Sequence, residues 1–253
     1  MDRVSSESTV TLLSQMPPQD PTRSTTPMTP TRVWDLPTRV FHAALALAVV
    51  AAIVTAEIGD DWMAWHLACG EAVMSLLVFR WAWGLVGGHW SRFAQFVPAP
   101  GRLLRYLRGR TNEAEAGGIG HNPLGSLSVW AFLLLLSVQV ATGLVADDEI
   151  ATTGPLNAHV GSHLARRASG WHAGYGADLI FALIALHLLA VAWYTWRRPP
   201  HRREPLLRAM WTGDKPAPAS ARASRDTAGS RLLALAIWAL AAAGVWAMVR
   251  FAG

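Results

Sequence analysis

The chain has 253 residues, 52% of them hydrophobic and only 15% charged, with a net charge of +5. That is too apolar for an ordinary water-soluble domain of this length, and the single cysteine, Cys69, excludes an intramolecular disulfide. Residues 1–33 are rich in Ser, Thr and Pro and hold no apolar core ahead of a small-residue cleavage site. They read as a disordered cytoplasmic tail rather than a signal peptide. Five apolar runs follow: Pro37–Glu57, Trp62–Val86, Leu124–Ala146, Trp171–Trp196 and Arg231–Phe251. A helix rises about 1.5 Å per residue and a bilayer core is about 30 Å thick, so each run is long enough to cross a membrane. The second run carries Glu71 and Arg80, and the fifth is rich in alanine. Between the second and third runs, RFAQFVPAPGRLLRYLRGR (Arg92–Arg110) interleaves basic and apolar residues, and its second half reads as a short helix lying on the membrane face. Residues 201–230 read as a basic cytoplasmic linker, and no internal repeat is evident. Cys69, inside the second run, reads as a small packing residue.

The positive charge is distributed as a topology signal. Arg3, Arg23, Arg32 and Arg39 precede or open the first run, and Arg92, Arg102, Arg105, Arg108 and Arg110 separate the second from the third. Nine basic residues lie from Arg197 to Arg231, Lys215 among them. The loop after the first run holds Asp60 and Asp61 and no Lys or Arg. The loop after the third holds Asp147, Asp148 and Glu149, with Arg166 and Arg167 as its basic residues. Cytoplasmic loops carry the Lys/Arg excess, so the expected N-terminus is cytoplasmic and the expected C-terminus periplasmic. The same charge suits anionic lipid, and nucleic-acid binding is not expected. Trp62, Trp65, Trp81, Trp83, Trp171, Trp193 and Trp196 fall near span ends, where amphipathic rings prefer to sit.

Four of the nine histidines lie in or just inside spans: His42, His66, His172 and His187. Ionisable groups within a membrane usually face the bundle interior and carry function. The expected topology sorts them into two levels, His42 with His187 toward the cytoplasm and His66 with His172 toward the outside. Fifteen helical residues separate the levels by roughly 22 Å. At about 100° per residue, His172 and His187 point within roughly 60° of each other. Two histidines are too few for a tetrahedral zinc site, and non-haem iron usually takes a carboxylate as well. They suffice for the two axial positions of a haem, whose macrocycle supplies the other four ligands. The absence of a C-x-x-C-H stretch rules out covalent c-type attachment. Gly70 and Gly176 each follow an outer-level histidine by four residues, on its face of the helix, and leave room for a flat macrocycle. Gly143 lies at a similar depth on the third span, and close helix packing is the other use of such glycines.

Four stretches now carry a resemblance: RVWDLPTRVFHAAL, WHLACGEAVMSLLVFRWAWGLVG, GHNPLGSLSVWAFLLLLSVQVATGLVADDEI and WHAGYGADLIFALIALHLLAVAWY. Together, in order from about Arg32 to Gly213, they resemble the bacterial cytochrome b561 family, which is related to the b-type cytochrome subunits of nickel–iron hydrogenases. The resemblance implies a four-helix bundle with two b haems, ligated from helices one, two and four. Position by position these ligands are His42, His66, His172 and His187. It also implies electron transfer between a quinone/quinol pool and a redox partner. The fifth span resembles the additional C-terminal span of some relatives.

Other residues suggest supporting roles. Arg39 and Arg80 are at the cytoplasmic level, where a guanidinium pairs well with a haem propionate; Arg80 also suits a quinone, and Arg39 suits a topology role. His121, at the entrance to the third span, is a candidate for propionate or quinone contact. Glu71 and Asp178 read as buried acids in the outer half, able to move protons or to hydrogen-bond within the bundle. His159 and His163, four apart in an outer loop, are a candidate metal pair if helical. The acidic run Asp147–Glu149 is suited to a basic periplasmic cytochrome c. The expected protein is therefore all-α, an integral membrane four-helix haem-binding bundle over residues 34–200, with one more transmembrane helix over 231–253. It sits in the bacterial inner membrane and contacts lipid, quinone and a cytochrome c or dehydrogenase subunit; a homodimer is compatible with this. The alternatives are a cytochrome b anchor of a hydrogenase-like complex, and a proton or metal-ion transporter built on the same histidines.

Overall fold

A computed structural model describes residues 27–97, 99–110, 119–149, 152–197 and 205–252. Most of the tail expected over residues 1–33, and the first residues of the linker expected over 201–230, lie outside them. The described residues are mostly helical. Five helices are long and apolar enough to cross a membrane: Leu36–Ile58, Asp60–Val86, Pro123–Leu144, Ser162–Arg197 and Ala228–Phe251. Their side chains are greasy on all sides, with Leu47, Leu189 and Leu240 each more than two-thirds exposed. Such surfaces suit a hydrocarbon solvent, where the helical backbone satisfies its own polar groups.

In chain order the regular elements are strand β1 (Met28–Arg32), helices α1 (Leu36–Ile58), α2 (Met63–Val86), α3 (Pro100–Leu107), α4 (Pro123–Leu144), α5 (Ser162–Gly170), α6 (Gly176–Ala192) and α7 (Leu206–Thr212), strand β2 (Asp214–Pro218) and helix α8 (Ala228–Ala252). Each of the early spans has a physical start signal. The Asp35 carboxylate caps α1 by accepting from the Thr38 N–H at 2.8 Å, with Pro37 in the first turn. The Asn122 side chain caps α4 through the Gly125 N–H at 2.7 Å, followed at once by Pro123. The fourth span is compound: α5, a five-residue π-turn at Trp171–Tyr175, α6, and a second π-turn at Trp193–Arg197. It therefore begins nine residues before the apolar run does.

Helix α2 is the centre of the bundle. One face (Val73, Leu77) joins Leu133 and Leu136 of α4 and Ile180 of α6; another (Leu76, Phe79, Trp83) joins Phe41 of α1 and Ala234 of α8. Helix α8 buries a stripe of small side chains, Ser230, Ala234, Ala241 and Val245, and packs chiefly on α2. Small residues allow this close approach where no aqueous hydrophobic drive exists between helices.

The end of the bundle that carries the arginines is closed by residues expected from sequence to be tail and linker. Strands β1 and β2 pair antiparallel, Met28 opposite Pro218 and Arg32 opposite Asp214. Arg32 Nε is 3.0 Å from Asp214 Oδ1. The Gly213 carbonyl accepts from the N–H groups of Val33 and Trp34. Gly213 has φ 87°, and a Cβ there would stand 2.6 Å from both Arg32 Nη1 and the Trp34 carbonyl, so glycine is required. Ser224 fastens the same point, its Oγ donating to the Val33 carbonyl at 2.7 Å. Beneath it Asp35 is fully buried and accepts four hydrogen bonds, from Thr38 N, Trp83 Nε1, Gly88 N and Ser91 Oγ. Trp83 is thus a buried donor and no interfacial residue, whereas Trp62, Trp65, Trp193 and Trp196 are all exposed near span ends. Helix α3 forms where the basic segment suggested, and Tyr106 on it shares a 2.7 Å hydrogen bond with Tyr194.

Candidate functional site

The four span histidines meet in two pairs. His42 of α1 faces His187 of α6 with ring centres 6.4 Å apart and planes at 47°. His66 of α2 faces His172 of the first π-turn with centres 5.9 Å apart and planes at 79°. The first pair is at the arginine-bearing end and the second at the acidic end. An imidazole nitrogen binds a first-row metal ion at about 2.0–2.1 Å and sits roughly 1.1 Å from its own ring centre, so two rings on opposite sides of one ion have centres about 6.3 Å apart. The His42–His187 pair has that spacing, and the His66–His172 rings stand slightly closer. Along their length α1 and α6 share little close packing, although His42 and His187 face each other. A flat group held between them would fit that separation.

The acidic-end pair is further prepared by hydrogen bonds. His66 Nδ1 lies 2.8 Å from the Ala52 carbonyl of α1, and His172 Nδ1 lies 2.8 Å from the Gln139 carbonyl of α4. Carbonyl oxygens only accept, so Nδ1 carries the proton in each ring and the lone pair is on Nε2. That is the tautomer a metal ligand needs, and the bond also fixes the ring's plane. Gly143 gives the His172 ring its space: a Cβ there would stand 2.6 Å from Cε1. Gly70 has no atom within 4 Å of where its side chain would be, which leaves its side of α2 clear. Gly176 differs. Its bare face is filled by the Gln139 amide and Trp171 Nε1, so it serves helix packing.

The polar residues at the arginine-bearing end form a separate group. Arg80 is 3% exposed, donates from Nη2 to the Ser91 carbonyl at 3.1 Å, and lies over the Phe93 and Phe96 rings at 4.8 and 5.8 Å. Its Nη1 is buried without a partner. Enclosure first, and then the Arg80 and Lys215 charges, push the pKa of the neighbouring His121 imidazole down to about 3. The His121 ring is held between Trp34 and Phe96, with centres 4.6 and 4.5 Å away, and its Nδ1 is buried without a partner. His121 also lines a cavity of about 480 Å³ with Trp90, Gln95, Arg102, Leu103 and Leu127. Arg39 donates from Nη1 to the Trp211 carbonyl and so ties α1 to α7.

Two expectations are corrected. Asp178 is exposed and Glu71 half-buried, so the outer half does not hold two buried acids. His159 and His163 do not share a helix, because the chain turns at Val160 and Gly161 between a 3-10 turn and α5. Among the described residues no three His, Cys, Asp or Glu side chains gather to hold a metal ion. Sequence reasoning missed Asp35, Gln139 and the Ala52 carbonyl; of these only Asp35 had a signal, an acid two residues before proline at the head of an apolar run.

The family description for prokaryotic cytochrome b561 matches residues 33–213. The chain belongs to that family. The match takes in all four span histidines and the first four spans, and stops before α8. No curated protein and no solved structure matches the chain. Membership of the cytochrome b561 family, with five membrane-length helices, supports electron transfer in the bacterial inner membrane by a multi-pass protein.

Proposed function

We propose that the protein is a dihaem b-type cytochrome that carries electrons across the membrane between a quinone pool and a partner protein. The observation that carries this reading is the pairing of four histidines, two by two, near opposite ends of the bundle, with ring centres 6.4 and 5.9 Å apart. His42 and His187 hold one haem b, and His66 and His172 the other, within a four-helix bundle to which α8 is an addition. When bound, each haem supplies one-electron exchange between ferric and ferrous iron, which no side chain offers. The chain supplies ligation, orientation and a low dielectric. The Ala52 and Gln139 carbonyls hold the acidic-end rings in the ligating tautomer, and the apolar cluster of α2, α4 and α6 excludes water between the two levels.

The Lys/Arg distribution supports a cytoplasmic N-terminus and a periplasmic C-terminus, which makes the His42–His187 pair the inner one. The cavity beside His121 is suited to a quinone head: its walls are largely apolar, Arg102 brings a cation, and the neutral imidazole is able to bond a quinone oxygen. The spare Arg80 N–H, and Arg39, are suited to an acidic oxygen of either ligand. On the outer side, exposed Asp148 and Glu149 favour a basic cytochrome c, whose association rate then falls with salt.

The deciding experiment is a reduced-minus-oxidised spectrum of protein purified in mild detergent, with a pyridine haemochrome count. Two haems b per chain are expected, with His42→Ala or His187→Ala removing one and His66→Ala or His172→Ala the other. Haem-free protein from haem-replete cells would refute the cytochrome reading and favour a transporter. A catalytic subunit that co-purifies would make the chain the cytochrome b anchor of a dehydrogenase complex.

A further inference from the structure

The outer pair is held in a way the inner pair is not. The fourth span leaves α-helical geometry at Trp171–Tyr175, where Gly174 has φ −108° and ψ −107°. A π-turn disturbs the regular pairing of carbonyls with N–H groups and often marks a functional position in a helix. Here the His172 carbonyl is met from outside its own helix, by Gln139 Nε2 donating at 2.7 Å. The His172 ring is met by the backbone of the same residue, Nδ1 donating to the Gln139 carbonyl at 2.8 Å. One residue of α4 therefore holds both the main chain and the imidazole of His172. Its side chain is seated against Gly176, where any Cβ would meet Gln139 Oε1 and stand 2.7 Å from Trp171 Nε1. Among the described residues, neither His42 nor His187 has a corresponding hydrogen bond.

We propose, on the dihaem reading above, that Gln139 is a positioning residue: from a helix that contributes no ligand, it fixes the plane of the His172 ring across that of His66 and keeps its Nδ1–H engaged. Two properties of the outer haem follow. The rings stand at 79°, and near-perpendicular axial planes leave the iron's dπ orbitals almost degenerate, which gives a strongly anisotropic low-spin EPR signal. Rings free to turn toward parallel give a less anisotropic one. The Nδ1–H bond to a carbonyl also raises the basicity of the ligand and favours ferric iron, so loosening it moves the outer midpoint potential in the positive direction.

The test compares Gln139→Leu, which at similar volume removes the amide that holds the His172 main chain and so frees the ring to shift on the Gln139 carbonyl, which the substitution keeps, with Gly176→Ala, which displaces the amide without changing residue 139. Full-length protein is examined by EPR of the oxidised form and by a redox titration of both haems. Both variants are expected to lose the most anisotropic signal and to raise the outer potential, or to lose the outer haem alone, while the inner haem keeps its signal and potential. Two variants with unchanged spectra and potentials would overturn the proposal. Equal loss of both haems would overturn it as well, by assigning Gln139 to general bundle packing. Failure of the dihaem reading looks different: the wild-type chain itself would then lack the outer haem, and the inference would fall with it.

Discussion

Gly143→Ala is the most direct perturbation of the outer pair, because a single methyl group meets the ring proposed as a haem ligand. The new Cβ would stand 2.6 Å from His172 Cε1, 3.0 Å from Nδ1 and 3.3 Å from Nε2. Carbon atoms reach their favourable separation only near 3.5 Å, so the ring must withdraw by roughly 0.9 Å. A metal–ligand distance tolerates about 0.2 Å of departure, several times less than that movement. Helix α4 is not free to withdraw in the ring's place, since Gln139, one turn earlier, is bonded to both the carbonyl and the ring of His172. The expected result is a fall from two haems per chain toward one by pyridine haemochrome, with the remaining haem titrating at the inner potential. His42 and His187, at the other end of the bundle, serve as the internal control. Two haems per chain with both potentials at their wild-type values would refute the account of Gly143 as the space in which the His172 ring sits.

Acid should weaken the arginine-bearing end through His121. Its folded value near 3 lies below the ordinary 6.5, so the unfolded chain binds the extra proton between those values and stability falls as pH drops below 6.5. At pH 5 the loss is about 2 kcal/mol, and a detergent-phase thermal midpoint that falls from pH 7 to pH 5 in the wild type but not in His121→Phe would show it; equal pH dependence in both would refute it. Asp35→Ala removes a helix cap, worth about 1 kcal/mol, and leaves buried donors on Trp83, Gly88 and Ser91 unpaired, so the thermal midpoint should drop by the equivalent of at least about 3 kcal/mol. An unchanged midpoint would mean that water replaces the carboxylate. Truncation after Thr227 removes α8, which carries no span histidine and packs chiefly on α2; both haems should remain, at reduced thermal stability, and loss of either would give α8 a part in the site.

The spans and the histidine pairs were legible because one-dimensional rules govern them. A run of about 20 apolar residues has few fates, and a helix of fixed rise converts sequence separation into depth. What escaped was set by partners far away in the chain. MTPTR and DKPAP have neither the length nor the alternation of a strand, and each is ordered by the other across most of the sequence. Trp83 has the composition of an interfacial residue and is buried because Asp35 meets its N–H. The depth of Asp178 suggests burial, but depth does not fix which side of a helix faces a neighbour, and Asp178 is exposed. The π-turn at His172 has no sequence signature either. It also makes the uniform 100° count between His172 and His187 only approximate, and the two rings meet their partners through helix packing.

The clasp of β1 on β2 has a consequence for how the molecule is made. Ser224 bonds Val33 across 191 residues, and a ribosome adds roughly 5–20 residues each second, so that contact waits on the order of 10–40 s after Val33 emerges. By then α1, α2, α4 and α6, and with them all four histidines, have been synthesised and delivered to the membrane. The clasp thus closes only after the helices that carry the histidines are made, and a cofactor can be loaded into a helix bundle still open at one end.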